Sequence, residues 1–116
     1  MIVSSSNCKG NIMEIYIKIT DDEGENAWWT FDSDPMGTGE AYLCDGDDLW
    51  GEDEYGYEYC RGTPCKNINQ LKRETKEALS IARWDGMNNP KATFWTWSGN
   101  KLHRVKLTRD NKIVKI

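Results

Sequence analysis

Residues 12–20 (IMEIYIKIT) alternate without a break: Met13, Ile15, Ile17 and Ile19 fall on one side, Glu14, Tyr16 and Lys18 on the other. A period of two is the mark of a strand with one buried face. The next five residues, Asp21-Asp22-Glu23-Gly24-Glu25, are turn chemistry, and residues 26–32 (NAWWTFD) return as a second strand. Together the two runs predict a β-hairpin. After residue 90 the alternation resumes. Residues 91–98 (KATFWTWS) are aromatic and β-prone, Gly99-Asn100 makes a turn, and residues 101–108 (KLHRVKLT) separate His103, Val105 and Leu107 from Leu102, Arg104 and Lys106. A second turn at Asp110-Asn111 leads to a short last strand, KIVKI, at 112–116.

Between these blocks the period changes to 3.6. Ile68, Leu71, Thr75, Ala78, Leu79 and Ala82 form one stripe of a helix over 67–85, with Lys72, Arg73, Lys76 and Arg83 largely elsewhere. Asn67 is the predicted N-cap with Gln70 as its capping-box partner; Gly86 is placed to end the helix, and Pro90 forbids its continuation. Residues 33–66 are rich in Gly and contain two prolines, so they read as an elaborated insertion with one or two short strands, at EAYLC (40–44) and YGYEYCR (55–61). The predicted order is β-β-(β)-α-β-β-β. It implies a small α+β protein: an antiparallel sheet with one helix packed on one face, the other face solvated and carrying aromatics. A chain of 116 residues is expected to form one domain over 13–116, with residues 1–12 a dispensable leader and Met13 an alternative start.

Charge changes this picture. Between Thr20 and Cys60 there is no Lys or Arg, but there are fourteen carboxylates. Residues 1–60 carry −13 and residues 61–116 carry +9, which the chain total of −4 conceals. Such polarity steers charged partners and says little about fold. Aromatic usage is also unusual, with six Trp and five Tyr against two Phe; Trp and Tyr combine large apolar area with a polar edge, as binding surfaces do.

Several chemistries are unsupported. No run approaches eighteen apolar residues, and the N-terminus lacks the charged and apolar regions of a signal peptide, so a cytosolic protein with reduced thiols is expected. Cys8, Cys44, Cys60 and Cys65 match no usual zinc spacing; a Cys3His set from Cys44, Cys60, Cys65 and His103 is the one metal arrangement to test, and no metal or other cofactor is expected. The segment DGDDLWGEDE (45–54) puts Leu49 and Trp50 where a calcium loop needs an acid and a Gly. GTGE at 37–40 is not a phosphate loop, and Ser98 in TWSGN lacks the glycines of a nucleophile elbow. No pair of carboxylates is marked for glycoside hydrolysis. A non-enzymatic protein is expected.

The acidic run therefore carries the functional expectation. Carboxylates with aromatics between them imitate rows of phosphates and so suit the Lys/Arg groove of a nucleic-acid-binding nuclease or effector. The expected contact set is Glu40, Asp45, Asp47, Asp48, Glu52, Asp53 and Glu54, with Trp50 and Tyr55 as aromatic anchors. In size and composition the chain resembles the small acidic anti-restriction and anti-CRISPR proteins of phages, a resemblance that implies an inhibitor acting on a protein partner. The plain reading of the same run is a solvated acidic loop, or one paired with the protein's own basic half. A second function class inverts the charge: Arg83, Lys91, Lys101, Arg104, Lys106, Arg109, Lys112 and Lys115 around Trp95 and Trp97 would bind single-stranded nucleic acid. A third is an interaction domain of a mobile element, self-associating through Trp28 and Trp29 or Trp95 and Trp97 as a homodimer.

Overall fold

The computed structural model describes residues 13–33, 36 and 39–116; the leader expected at 1–12 lies outside them. Strands dominate an α+β architecture. Strands β1 (Tyr16–Thr20), β2 (Asn26–Ser33) and β3 (Gly39–Asp45) are followed by a small hairpin, β4 (Trp50–Glu52) and β5 (Glu58–Cys60). Helix α1 (Ile68–Trp84) then leads to β6 (Lys91–Ser98), β7 (Lys101–Leu107) and β8 (Ile113–Lys115). The main sheet has six strands in the order β3-β2-β1-β6-β7-β8, with every pairing antiparallel. The alternation read along the chain holds: Ile15, Ile17 and Ile19 are buried on the helix side with Trp29 and Val105, while Lys18 and Trp28 point to the opposite side.

The helix forms where its caps and stripe require. The Asn67 side chain accepts from the Gln70 backbone N–H, and the Gln70 side chain accepts from the backbone N–H of Lys66, one residue before the expected partner. Leu71, Ala78 and Ala82 are fully buried against the sheet. At the far end Gly86 takes φ 88°, its N–H donates to Arg83 O, and the Met87 N–H donates to Ala82 O at 3.0 Å. These two bonds close the left-handed stop that a Gly at this position allows. No helix among the described residues is long and apolar enough to cross a membrane.

Two expectations are corrected in the middle of the chain. The strand expected at 40–44 is present as Gly39–Asp45, but it is an edge strand of the main sheet rather than part of an insertion. The opposite face of the sheet is not open either: residues 46–62 fold back across it, with the β4–β5 hairpin as their ordered centre. This cover buries Leu49, and Trp28 beneath it is wholly inaccessible, while Trp29 is buried under the helix. Neither Trp28 nor Trp29 can supply an exposed self-association face.

The chain passes from the covered side to the helix side through a split in the sheet. Strands β1 and β2 pair only as far as Lys18↔Trp28. Beyond that point the Trp29 carbonyl accepts from the Thr63 N–H, the Thr30 hydroxyl donates to the Arg61 carbonyl, and Cys65 exchanges backbone bonds with Ile15. Gly62 sits in the gap, where a Cβ would meet Tyr16 and Leu49 side-chain carbons at 3.1 Å. Backbone polar groups freed by the splay are thus satisfied by the crossing segment, as buried backbone must be.

Candidate functional site

The centre of the acidic run is a clamped hairpin whose carboxylates are exposed. The sole cation immediately following it, Arg61, does the clamping. Its Nη1 donates to the carbonyls of Asp48 (2.8 Å) and Trp50 (3.1 Å), its guanidinium lies 5.6 Å from the centre of the Tyr59 ring, and its own N–H donates to the Leu49 carbonyl. The guanidinium lies so close to the backbone of Gly46 and Gly51 that neither position has room for a Cβ; at Gly51 a Cβ would stand 2.6 Å from Arg61 Nη2. Gly46 also has φ 150°, outside the range most side chains accept. Two of the glycines that read as loop chemistry, Gly46 and Gly51, are therefore spaces kept for one arginine.

A second tie runs from the sheet. Lys18 Nζ reaches Asp47 Oδ1 at 2.7 Å and lies 5.5 and 5.6 Å from the ring centres of Trp28 and Trp95. The Lys18 side chain is only 14 % exposed, so this ammonium is largely desolvated, where cation–π attraction is strongest. The hydrogen bond and charge of Lys18 hold the Asp47 carboxyl below its ordinary pKa.

The nine expected contact residues are all exposed, but they do not form one patch. Glu40 lies at the start of β3, about 17 Å along the strand from Asp45. Asp45 pairs with Ala27 on the helix side and lines a cavity of about 530 Å³ with Glu25, Asn26, Leu43, Asp85 and Met87. Asp47 is engaged with Lys18. Asp53 is engaged with its own turn, its Oδ1 accepting from the N–H groups of Tyr55 (2.8 Å) and Tyr57 (3.0 Å). Among the described residues the side chains of Asp48, Glu52, Glu54 and Tyr55 take no hydrogen bond or ion pair on the hairpin and its approach, while Trp50 meets the Trp97 ring.

The expected contact set omits Glu58, Tyr57 and Tyr59, although Tyr57 and Tyr59 stand among the aromatics of the acidic segment; β5 and its turn bring all three beside the set. Glu52 and Glu58 are direct cross-strand partners. Like charges so placed are destabilising, and among the described residues no ion pair relieves Asp48, Glu52, Asp53, Glu54 or Glu58. Tyr55 and Tyr57 are 77 % and 72 % exposed at the tip. The strand expected at 55–61 is shorter, Glu58–Cys60, so that Tyr55 and Tyr57 fall in the turn before it. Trp97, expected only in the nucleic-acid and self-association readings, and Leu102 of the basic half meet the acidic run instead: with Asp48, Leu49 and Trp50 they line a groove of about 280 Å³ where the cover meets β6 and β7. Trp50 and Trp97 stand edge to face there, 6.2 Å apart, and both are over two-fifths exposed.

The cysteines and His103 are separated by the sheet. Cys44 pairs with Trp28 on the covered side, whereas Cys65 and His103 lie on the helix side, where His103 Nε2 is 3.2 Å from the Ser98 carbonyl. Among the described residues no group of three His, Cys, Asp or Glu is arranged to hold a metal ion. Burial pushes the Cys65 thiol up to about 12, and burial likewise raises Cys44 and Cys60. Compared with known proteins, the chain matches no family model, no curated protein and no solved structure.

Proposed function

We propose that this protein is a non-enzymatic acidic inhibitor that acts in the cytosol. It occupies the cationic groove of a nucleic-acid-handling protein with its β4–β5 hairpin, in the manner of phage anti-restriction and anti-CRISPR proteins. The observation that carries the reading is the Glu52–Glu58 pair: two carboxylates directly across an ordered hairpin, with Asp48 and Glu54 nearby and, among the described residues, no cation pairing with any of them. An arrangement that costs free energy in isolation is relieved by a partner's Lys or Arg. A merely soluble surface normally mixes both signs. Tyr55 and Tyr57 supply apolar area for residence once charge has brought the partner in.

The test compares the wild type with a variant carrying Asp48→Asn, Glu52→Gln, Glu54→Gln and Glu58→Gln. Asp47 and Asp53 are kept because the fold uses them. The wild type is expected to capture a DNA- or RNA-binding protein and to displace nucleic acid from it, and the variant to do neither while melting at least as high. Equal capture by both proteins rejects the reading.

A second reading rests on a different observation. Trp95, Trp97, Leu102, Arg104 and Lys106 share the covered side of the sheet beyond the hairpin, with Trp97, Arg104 and Lys106 exposed. Bases stack on such rings while cations track the backbone. The hairpin's carboxylates stand beside this strip and repel phosphate, which places it second. Retention on single-stranded DNA that falls steeply with salt would reverse the order.

A further inference from the structure

Beside the Lys18 site lies a second pair of tryptophans with its own aspartate, over which no cation sits among the described residues. In the Lys18 site, Trp28 and Trp95 meet edge to face at 6.4 Å and 62°, Lys18 Nζ lies 5.5 and 5.6 Å from their ring centres, and Asp47 receives the ammonium at 2.7 Å. In the other, Trp50 and Trp97 meet edge to face at 6.2 Å and 71°, and Asp48, the residue after Asp47, lines the same groove. Trp95 and Trp97 are neighbours on one side of β6, about 7 Å apart along the strand. Among the described residues no Lys or Arg lies over the Trp50 or Trp97 ring or pairs with the Asp48 carboxylate; Arg61 reaches only the backbone carbonyls of Asp48 and Trp50. Arg104 is on the same side of β7 as Leu102, but it is matched in register with Trp95.

We infer that the groove between Trp50 and Trp97 is the receptor for an arginine side chain of the partner protein, its guanidinium packed on the indoles and paired with the Asp48 carboxylate. The internal precedent fixes the sign of the occupant, and the groove selects its shape. A planar, weakly hydrated guanidinium stacks on indole and pairs with carboxylate through parallel N–H bonds; an ammonium does neither as well. The groove holds about 280 Å³ and is floored by Leu49 and Leu102, which accommodates the apolar stem of such a side chain. The inference rests on the acidic-inhibitor reading and names the anchor contact within it.

The experiment is an NMR titration of the full chain with end-blocked Gly-Arg-Gly and Gly-Lys-Gly peptides, following the six indole N–H signals assigned by Trp→Phe variants. The Trp50 and Trp97 signals are expected to shift saturably with the arginine peptide and more weakly with the lysine peptide. Those of the buried Trp28 and Trp29 should stay in place. Asp48→Asn should weaken the arginine peptide by about fivefold, the effect of a partly exposed charge-assisted pair, and Trp97→Leu should abolish its preference over lysine. No shift at Trp50 and Trp97 up to tens of millimolar peptide, equal response to both peptides, or indifference to Asp48→Asn overturns the inference. If the peptide fails here while the hairpin variant still loses its target, the arginine site alone is rejected. If the peptide binds here while the hairpin variant keeps its target, the inhibitor reading is rejected instead.

Discussion

Lys18, on the central strand, and Asp47, on the segment that covers the sheet, are joined at 2.7 Å over a floor of two tryptophans. The contact couples the most acidic part of the molecule to its most buried aromatic layer. Lys18→Met is expected to cost about 1–2 kcal/mol through the lost cation–π contact. The loss should appear first as faster amide exchange in residues 47–60 and a change in tryptophan emission, with the helix-side core unaffected.

That same pair responds to acid. Lys18 holds the Asp47 carboxyl below its ordinary pKa, so its contribution is fully present above about pH 4 and disappears as pH falls through the folded value. Exchange protection of the hairpin should fall over that acid range in the wild type. In Asp47→Asn it should be lower at neutral pH and flat through the same range.

Asp21 makes a comparable acid-sensitive latch just past the end of β1. Burial alone would raise its pKa, but N–H donation from Glu25, Asn88 and Glu23 outweighs this and lowers it. The carboxylate joins the β1–β2 turn to the connection after α1. Its stabilisation is present above the ordinary carboxyl pKa and lost below the folded one. Asp21→Asn should therefore lower the melting temperature at pH 7 and make little difference near pH 2, as measured by circular dichroism.

Arg61 and its two glycines should behave as one unit. Gly51→Ala forces a Cβ to 2.6 Å from Nη2 and displaces the guanidinium from the Asp48 and Trp50 carbonyls, at about 1–3 kcal/mol. In an Arg61→Ala background the same substitution should cost little. A double-mutant cycle by urea denaturation is expected to give a coupling of at least about 1 kcal/mol; additivity would show that Arg61 does not organise the cover.

Glu58→Gln should raise stability by about 0.2–1 kcal/mol by removing the repulsion with Glu52, while weakening capture of the cationic partner. A variant that is both more stable and less active separates a site from a surface. Asp48→Asn, with no like-charge partner directly across a strand, should weaken binding without that gain.

Much of the fold was legible because its signals are local. The period-two runs at 13–19 and 101–107 place Ile15, Ile17, Ile19 and Val105 correctly on one side, since a strand's alternation needs only its own residues. Asn67, Gln70 and Gly86 mark the helix ends because caps act over a single turn. The charge reversal at Cys60 is a property of composition and needs no coordinates.

Only the tertiary structure decided where the acidic run lies and which of its carboxylates remain free. A face of the sheet that alternation marks as polar, Tyr16, Lys18 and Trp28, is covered because residues 46–62 return over it, and the bonds that hold them link residues 11 to 32 positions apart. Local periodicity carries no record of such pairings. The same return splits the expected contact set. It commits Asp47 to Lys18 and brings Asp48 and Trp50 to Trp97 and Leu102 from the opposite end of the chain, while the register of β3 with β2 leaves Asp45 on the helix side. Hydropathy alone could not choose between exposed and buried for Trp28 and Trp97, because an indole suits either. The backbone path past Gly62 made that choice.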